Sequence, residues 1–506
     1  MSSQLLRRKS IDRLIAETDE PGRRLKRVLG PWSLVALGVG AVIGAGVWTL
    51  SGTAALGMKV AVPSIWHAPV LDLVLHGSQA TGISGRPGAG PAVALSYVLV
   101  ALASAFAALC YAELASMIPV AGSAYTYSYA TLGEIFAWII GWDLVLEYAV
   151  SNMAVAVAFS GYLDSLLRGI GLHLPPEFTT PVFSAGGYAG GIFNLPAFLI
   201  IMFLTVLLVI GIRESARANT VMVFIKVVAI LLFVIGAAKY VSVDNLRPFA
   251  PNGAQGVLTG AALVFFAFIG FDSVSTAAEE CRNPQKDMPF GIITTLVVCM
   301  VLYVGVAVVL TGIIPYTQID PRAPVSSALK QLGLGWLEFW VTVGALFGMI
   351  SSLLVYQLGQ ARIWFAMSRD RLLPGSFSRV HRRFQTPHVS TWVAGFVVAI
   401  PAGIWDIGEL AELSNIGTLF AFALVCTGVL VLRRARPGLR RPFRVPGVPL
   451  VPVLGILSCL ILMTSLPLIT WGRFLVWLAI GLVIYFAYSR QRSQLRAAPG
   501  EGRGEA

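Results

Sequence analysis

The stretch "ALGVGAVIGAG", Ala36 to Gly46, places four glycines, at 38, 40, 44 and 46, inside an otherwise apolar run. A glycine in a helix interior costs about 1 kcal/mol relative to alanine. So many glycines in a segment apolar enough to cross a membrane need an explanation, and that explanation decides the fold.

The rest of the chain has the composition of a membrane protein. Of its 506 residues, 56% are hydrophobic and 12% are charged, and the mean hydropathy is +0.77. A soluble domain carries about 25% charged residues. Apolar runs near the ~20 residues of a spanning helix recur along the whole length, unlike the short alternating segments of a membrane β-barrel. The polar N-terminus lacks the apolar core of a cleavable signal peptide. We therefore expect an all-α integral membrane protein.

Twelve apolar segments predict transmembrane helices. They lie at approximately 31–56, 91–115, 134–167, 194–212, 219–240, 256–278, 290–314, 337–366, 389–405, 410–432, 449–469 and 471–488.

The distribution of arginine sets the expected orientation. Arginines gather in connections such as "LLRRKSIDR", "SRDRLLPGSFSRVHRRFQ" and "RRARPGLRRPFR", and the alternate connections hold few. By the positive-inside rule, both termini are cytoplasmic and the chain is a multi-pass protein of a prokaryotic inner membrane. The net charge of +12 then indicates anionic lipid head groups as neighbours, not nucleic acid.

The cysteines and the connection at residues 57–90 also bear on the function. Five cysteines are scattered without metal spacing, so neither a disulfide framework nor a metal site is expected, and no resident cofactor is predicted. Residues 57–90 form a long outer loop that contains the semi-apolar "VPSIWHAPVLDLVLH". This loop is interpreted either as an interfacial helix or cover, or as a lid or partner site.

Three interpretations of the first glycine cluster compete. Its GxGxxxG spacing is one residue off the dinucleotide fingerprint and follows no strand, which excludes nucleotide binding. Gly40 and Gly44 form a GxxxG pair, which allows two helices to pack closely in lipid. An unwound segment at the membrane midplane is the third, since irregular backbone is tolerated there when it lines a cavity or is buried in protein. Its exposed N–H groups would bind an anion such as a carboxylate.

A second segment favours the unwound interpretation. "ALVFFAFIGFDSVSTAAEE", Ala262 to Glu280, carries a glycine and an aspartate within the sixth apolar segment, and "FIGF" at 268–271 echoes "VIGA" at 42–45. Corresponding interruptions in two halves indicate a transporter binding site. The echoes are five spans apart, and an odd number inverts the second copy. The expected architecture is a 5+5 inverted repeat with discontinuous spans 1 and 6 and two added spans.

This architecture divides the chain at definite positions. The predicted parts are a cytoplasmic tail at 1–30, a first repeat at 31–248, a second repeat at 249–432, a basic cytoplasmic loop at 433–448, two additional spans at 449–488 and a cytoplasmic tail at 489–506.

The motifs in combination resemble one family. "GAVIGAGVW", "YAELASMIPVAGSAYTYSYATLGE", "FFAFIGFDSVSTAAEECRNPQKDMP", "GQARIWFAMSRDRLLP" and "RRPFRVPGVPLVPVLG" are similar to motifs of the bacterial cationic amino acid transporter family, within the amino acid–polyamine–organocation superfamily. The resemblance covers about residues 30–490 and implies a LeuT-type fold and a secondary active amino acid transporter, not an enzyme. The long loop at 57–90 departs from the compact family pattern.

The resemblance also implies a substrate site at the two breaks. The substrate's α-carboxylate would meet the backbone of the first break, at Ile43, Gly44, Ala45 and Gly46. Its α-ammonium would meet carbonyl groups freed at the second break, around Phe266, Ala267 and Ile269, because the C-terminal ends of half-helices favour cations.

Further side chains are candidates for the same site. Phe266 matches an aromatic gate over the substrate, with core or lipid packing as the alternative. Asp272 is a carboxylate inside a membrane span, which is a functional hypothesis by default; it binds substrate, gates, carries a proton or has a structural role. Asn152 matches a side-chain-pocket position in related antiporters. Glu113, near the inner end of span 2, is expected to have a structural or gating role.

Lys226 is the candidate for ion coupling. It lies about two helical turns inside the fifth segment, where it either snorkels toward the inner face or, as the resemblance implies, occupies the place of a sodium ion and carries a proton. Glu147 in span 3 is a candidate partner for Lys226, with pairing to a nearby polar group as the alternative. Ser351 and Ser352 resemble the hydroxyl pair of a sodium site, but a lysine there would repel sodium.

Two functions therefore remain open at this stage. The first is proton-coupled symport of an amino acid by alternating access, and the alternative is amino acid exchange or sodium-coupled symport on the same fold. The substrate is expected to be a small neutral or a cationic amino acid. Whether a small membrane subunit accompanies the chain is left open.

Overall fold

The computed structural model describes residues 7–9, 11, 29–59, 64–76, 85–120, 123–184, 187–210, 216–381, 384 and 386–493. Most of the predicted tails at 1–30 and 489–506, and part of the loop at 57–90, lie outside these residues. The α-helices are α1 Pro31–Val42, α2 Ser51–Leu56, α3 Val70–His76, α4 Val93–Met117, α5 Ser123–Thr131, α6 Glu134–Gly169, α7 Leu195–Ile210, α8 Ala216–Ala237, α9 Gly253–Val264, α10 Pro284–Ile313, α11 Pro324–Gln331, α12 Gly335–Arg369, α13 His388–Ala402, α14 Ile407–Ala435, α15 Leu450–Thr464, α16 Leu468–Ile484 and α17 Arg490–Arg492.

Strands are confined to two short antiparallel hairpins among the described residues. β1, Gly57–Lys59, pairs with β2, Gly85–Pro87, and β3, Phe183–Ser184, pairs with β4, Gly187–Tyr188. The fold is therefore mostly helical, as predicted.

The described residues include eight helical stretches long and apolar enough to cross a membrane, one of which, Gly253–Glu280, combines α9 with the 3₁₀ segments that follow it. A further pair, Pro31–Val42 and Gly46–Leu56, is bent by 47° at a short break and together is long enough to span. Three shorter apolar helices, α7, α13 and α15, accompany them. Each predicted segment contains one of these helices or the bent pair. Because a helix of 16 residues covers only about 24 Å of a hydrocarbon core of about 30 Å, the count of twelve spans stays a prediction.

Several predicted boundaries differ from the structure by a few residues, and three of these differences have a visible cause. The segment predicted to continue to 469 ends at Thr464, since a turn precedes Pro467, which has no N–H to extend the helix. The segment predicted to continue to 405 ends at Ala402, because Ile404 O accepts a 2.9 Å hydrogen bond from the N–H of Phe183 in the β3–β4 hairpin. α14 begins three residues before the predicted 410, where the Asp406 side chain caps the N–H of Gly408.

The helices surround the two interrupted segments. The most extensive contacts join α10 to α4, and both α12 and α14 to α6. α1 packs against α8, α10 and α12, and the turn Gly46–Leu50 packs against Phe265–Phe268. The interruptions therefore lie together in the interior, and α6, α8, α10 and α12 surround them.

The described part of the loop at 57–90 covers the neighbouring helix ends. The N–H of Val70 donates to Leu466 O at 3.1 Å, and the N–H of Leu468 donates to Ala68 O at 3.1 Å. Arg86 forms a buried ion pair with Glu412 of α14. The loop thus connects the start of α16 to the start of α14.

Candidate functional site

The first break follows the predicted sequence. α1 ends at Val42, and Ile43 leaves the helix with φ −78° and ψ 85°. The N–H of Gly44 donates to Val42 O at 2.9 Å. This bond joins residues two positions apart, whereas the bonds of an α-helix join residues four positions apart. A π-helical turn, Gly46–Leu50, then resumes the segment. The helix is therefore interrupted at Ile43 to Ala45, within the stretch predicted to unwind.

The second break lies in the sixth predicted span. After α9, a 3₁₀ turn covers Phe265–Phe268, Ile269 is extended, and Gly270 has φ 115°. A side chain rarely adopts that left-handed conformation, so glycine is favoured there. A 3₁₀ segment, Phe271–Glu280, follows. Both segments are thus interrupted at the matching glycine motifs.

Close backbone approaches explain three of the glycines. A Cβ on Gly46 would lie 2.3 Å from the Cα of Ala267, so the two breaks touch there. A Cβ on Gly38 would lie 2.3 Å from Thr295 Oγ1 of α10, so this glycine serves packing. A Cβ on Gly44 would lie 3.1 Å from Ser352 Oγ of α12.

Lys226 reaches the first break from α8. Its side chain is fully buried, which rules out snorkelling to an aqueous face. The ammonium Nζ donates to Gly40 O at 2.6 Å and to Ile43 O at 2.9 Å, and it lies 3.4 Å from Ser351 Oγ. The positive charge therefore sits at the carboxyl end of α1, where the helix dipole favours a cation.

The two serines converge on the same carbonyl groups. Ser352 Oγ donates to Gly40 O at 3.3 Å and to Ile43 O at 3.1 Å. Both serines are fully buried. Two carbonyl oxygens and the Ser351 hydroxyl thus contact the Lys226 ammonium, and the Ser352 hydroxyl binds the same two carbonyls, at the place where the family resemblance puts the alternative sodium site.

Tyrosines satisfy other backbone groups at the breaks, and sequence reasoning missed them. Hydroxyl groups of buried tyrosines donate to Gly46 O, Val42 O and Ile269 O; the donors are Tyr97 at 3.2 Å, Tyr303 at 3.0 Å and Tyr356 at 3.2 Å. A buried tyrosine hydroxyl needs a partner. Tyrosines within otherwise apolar spans were therefore an available signal.

The predicted residues of the second break are buried at the contact between the breaks. Phe266 is 3% exposed, and Ala267 is in contact with Gly46. The carbonyl oxygen of Ile269 accepts a hydrogen bond from Tyr356 OH. The structure thus brings Ala267 to the first break, and the gating role of Phe266 stays a prediction.

Asn152 of α6 lies in a polar chain between helices. Its Nδ2 donates to Gln357 Oε1 of α12, and Gln357 Nε2 donates to Thr205 Oγ1 of α7 at 2.7 Å. Within the part of the chain that the structure describes, Asn152 Oδ1 is buried without a hydrogen-bond partner. One helical turn further, Val155 lies 3.6 Å from the position of a Cβ on Gly44. This face of α6 is therefore turned toward the first break.

Buried carboxylates form a separate group. Asp272 accepts a 3.4 Å hydrogen bond from Ser123 Oγ and interacts electrostatically with Glu147. Glu147 also interacts with Asp143 and contacts the side chain of Thr418. The structure thus groups Glu147 with other carboxylates, whereas it places the Lys226 ammonium on the carbonyls of the first break.

Asp143 is a buried carboxylate that the sequence interpretation did not single out. It is four residues before Glu147 on α6, a spacing that puts both side chains on one face of the helix. Among the described residues, neither carboxylate oxygen has a hydrogen-bond partner. The rule for charged groups inside a membrane span would have found it.

Glu113 lies outside this site. Its carboxylate accepts a 3.0 Å hydrogen bond from Arg433 Nε and a 2.7 Å hydrogen bond from the N–H of Val445. It also forms an ion pair with Arg441. These contacts fix the basic loop at 433–448 against the end of α4, which fits a structural role.

Known proteins are similar to this chain over most of its length. A family model for amino acid permeases matches residues 29–487. The branched-chain amino acid permease BcaP of Bacillus subtilis is 48% identical over 98% of this chain and 100% of its own length. The methylthioribose transporter of the same organism is 45% identical over 97% and 99%. The vacuolar cationic amino acid transporter 4 of Arabidopsis thaliana is 38% identical over 86% and 68%. This chain therefore belongs to the amino acid permeases of the amino acid–polyamine–organocation superfamily, and is a multi-pass membrane transporter and not an enzyme.

Proposed function

We propose that this permease is a proton-coupled amino acid symporter with twelve spans, a 5+5 inverted repeat and both termini on the cytoplasmic side of a bacterial inner membrane. The observation that carries the proposal is the Lys226 ammonium on Gly40 O and Ile43 O, at 2.6 and 2.9 Å. The Lys226 ammonium already binds the oxygen atoms that a sodium ion would need. Its positive charge would repel a sodium ion bound at the same oxygen atoms.

The substrate binds where the two breaks meet. Its carboxylate lies against the backbone from Ile43 to Gly46, because the resumed helix presents N–H groups there. Its ammonium lies near the carbonyl groups of Phe266, Ala267 and Ile269. Asn152 Oδ1, buried and without a partner in the described residues, accepts a hydrogen bond from the bound substrate or from a water beside it.

Proton coupling follows from the two protonation states of Lys226. The ammonium donates to carbonyls of α1, so it ties α8 to the first break. A neutral amine loses the attraction to these dipoles and releases α1 to move. We assign Glu147 and Asp272 as the acceptors for the proton on its way out, because both carboxylates are buried inside spanning segments, where an ionisable group is expected to be functional. Alternating access then exchanges the side to which the site opens.

A neutral aliphatic amino acid is the first substrate class to test. Apolar Phe266, Ala267 and Val155 surround the meeting point of the breaks, and a relative at 48% identity is named for branched-chain amino acids. Cationic amino acids come second, since one relative is named for them. Methylthioribose also belongs in the panel, because the relative at 45% identity is named for it and it has no carboxylate for the first break.

Two measurements on the purified protein test this proposal. A ligand raises the unfolding temperature of the state that binds it, so a panel of all amino acids and methylthioribose identifies the substrate. Uptake into proteoliposomes is then driven by an imposed pH gradient without sodium. The proposal expects accumulation under these conditions. Uptake that requires sodium would overturn it.

The second candidate, sodium coupling, rests on the oxygens of Gly40, Ile43, Ser351 and Ser352. If the ammonium only fills this site, its removal in Lys226→Ala frees the oxygens of Gly40, Ile43 and Ser351, beside Ser352, to coordinate a sodium ion. Sodium would then raise the unfolding temperature of Lys226→Ala but not of the parent protein. Stabilisation of the parent protein by sodium would instead favour the sodium-coupled alternative.

A further inference from the structure

A cavity of about 380 Å³ lies between the end of α12 and the helix α17, outside the residues of the two breaks. Arg371 follows α12, and Arg492 belongs to α17; both line the cavity and both are exposed. Ser368, Tyr488 and Ser493 are also among its walls, and no carboxylate is among the described residues that line it. The cavity is therefore positive and rich in hydrogen-bond donors.

The backbone at Arg371 is unusual. α12 ends in a Schellman motif, in which the N–H of Leu372 donates to Met367 O at 2.9 Å and the N–H of Arg371 donates to Ser368 O at 3.0 Å. This motif places Arg371 at φ 60°, in the left-handed region that favours glycine. Non-glycine residues are uncommon in this region and concentrate at functional sites, so the Arg371 side chain is a candidate for a ligand contact.

The acidic neighbour of Arg371 is turned away from the cavity. Asp370 Oδ1 pairs with Lys9 Nζ at 3.0 Å, and Asp370 Oδ2 accepts a 2.6 Å hydrogen bond from Tyr125 OH. Both charges of this pair are buried. Asp370, the carboxylate nearest to Arg371 in sequence, is therefore already paired with Lys9 in the protein interior. The Arg371 side chain is thus available to bind a ligand.

The opposite wall is fixed in place. Arg492 Nη1 donates to Tyr488 OH at 2.9 Å, and its guanidinium carbon stacks 4.4 Å from the Tyr488 ring. Ser493 Oγ donates to Glu134 Oε2 at 2.6 Å, and Ser489 Oγ donates to Leu372 O at 2.6 Å. Tyr488 thus holds the Arg492 guanidinium in place, and Arg492 lines the cavity together with Arg371.

We infer that this cavity binds a phosphate-bearing anion between Arg371 and Arg492. Guanidinium groups bind phosphate oxygens through paired, charge-assisted hydrogen bonds, and the volume is in the range of small-ligand sites. The head group of an anionic lipid is one source, since on the proposed orientation the cavity lies at the cytoplasmic leaflet, where such lipids attract arginine. Free phosphate of the cytosol is the other source. The binding site itself does not depend on the transport mechanism.

The test uses the full-length protein in a neutral detergent. Its unfolding temperature is measured against inorganic phosphate, short-chain phosphatidylglycerol and, as a zwitterionic control, short-chain phosphatidylcholine. We expect a saturating rise with an anionic probe and none with phosphatidylcholine. A rise with phosphate alone assigns the site to a soluble anion, and a rise with phosphatidylglycerol alone assigns it to lipid.

Two variants decide whether the effect belongs to this cavity. Arg371→Gly relieves the left-handed strain, so it folds, yet it should need an about tenfold higher probe concentration for the same rise, which is the effect of losing one charge-assisted hydrogen-bonded contact. Arg440→Gln removes an exposed arginine of the loop at 433–448, outside the residues that line the cavity, and should respond like the parent protein. An unchanged response in Arg371→Gly, or no response of the parent protein to either anion, would overturn the inference.

Discussion

Gly46 is a residue at which the two interrupted segments touch. Its missing side chain lets the backbone of the first segment approach Ala267 so closely that a Cβ would lie 2.3 Å from the Cα of that residue. The neighbour is backbone and cannot rotate away. The contact therefore fixes the distance between the two proposed halves of the substrate site.

A substitution at Gly46 tests this contact. Gly46→Ala should lower the free energy of unfolding by about 1–3 kcal/mol, the typical effect of overpacking, and should abolish substrate-induced stabilisation. Thermal unfolding in detergent, with and without substrate, measures both effects. Gly472→Ala in α16 is the matched control, since a Cβ there meets nothing within 4 Å. It should be neutral or stabilise the helix. Equal behaviour of the two variants would contradict the account.

Sequence reasoning reached some of these residues and not others, for physical reasons. It located the interruption at Ile43 to Gly46, because glycine density in an apolar run has few causes. It could not separate packing from site geometry: Gly38 packs on Thr295, while Gly40 presents its carbonyl group to Lys226. Asp143 was within reach of the rule applied to Asp272. The tertiary partners of Asn152 were not, since they come from two other helices.

Among the helices, the end of α4 shows how the basic loop at 433–448 is held. The carboxylate of Glu113 is 1% exposed and binds Arg433, Arg441 and a backbone N–H. Glu113→Gln should cost about 3–5 kcal/mol, because removal of one partner leaves buried charge unpaired. Chemical or thermal unfolding measures this change.

A more exposed ion pair supplies the comparison for Glu113. Arg168 pairs with Asp164 at 3.0 Å one turn away on α6, and its side chain is 43% exposed. Arg168→Gln should cost less than about 1 kcal/mol, as is usual for solvent-accessible pairs. A loss from Glu113→Gln no larger than that from Arg168→Gln would show that the loop is held by other contacts.

The cover formed by the loop at 57–90 is predicted to respond to pH through His67. Burial lowers the pKa of His67 below its usual 6.5, Glu409 opposes the shift, and Arg86 and Arg473 add to it. The fold therefore favours neutral imidazole, while the unfolded chain takes up a proton at the ordinary pKa. Stability should be unaffected above about pH 6.5 and should fall as the pH drops below it.

The pH profile of unfolding measures this contribution. His67→Gln should flatten the decline between about pH 6.5 and the lowered pKa, and His173→Gln, at an exposed position of another loop, should leave it unchanged. A decline of the same size in His67→Gln would assign the pH dependence to other groups.

At the level of elements, hydropathy predicted the position of every apolar helix but not all of their ends. α15 stops short because Pro467 and its turn follow, and α13 stops because the β3–β4 hairpin pairs with Ile404. The first cause is local and could have been read from the sequence. The second cannot, because the hairpin is more than 200 residues away in the chain. The same applies to the loop at 57–90, whose partners are α14 and the start of α16.

For the whole molecule, different ion pairs and hydrogen bonds connect the helices at their two opposite ends. Lys9 with Asp370, and Tyr485 with Glu134, join the chain termini to α12 and α6. At the other end, Arg86 with Glu412 joins the cover to α14, and Arg473 with Glu409 joins α16 to α14. Under the proposed alternating access, the ties at one end must open while those at the other hold. The identity of the coupling ion and of the substrate depends on this motion and on how side chains pack around the two breaks. The sequence could therefore predict only the class of each.

The most direct test of the proposed mechanism is uptake by Lys226→Met in proteoliposomes under an imposed pH gradient, with exchange of labelled for unlabelled substrate at equal pH as the control. Methionine keeps the apolar stem and removes the proton carrier. We predict that the variant still exchanges substrate but no longer concentrates it against a gradient. Concentration of substrate by Lys226→Met, driven by the pH gradient as in the parent protein, would contradict the assignment of Lys226 as the coupling residue.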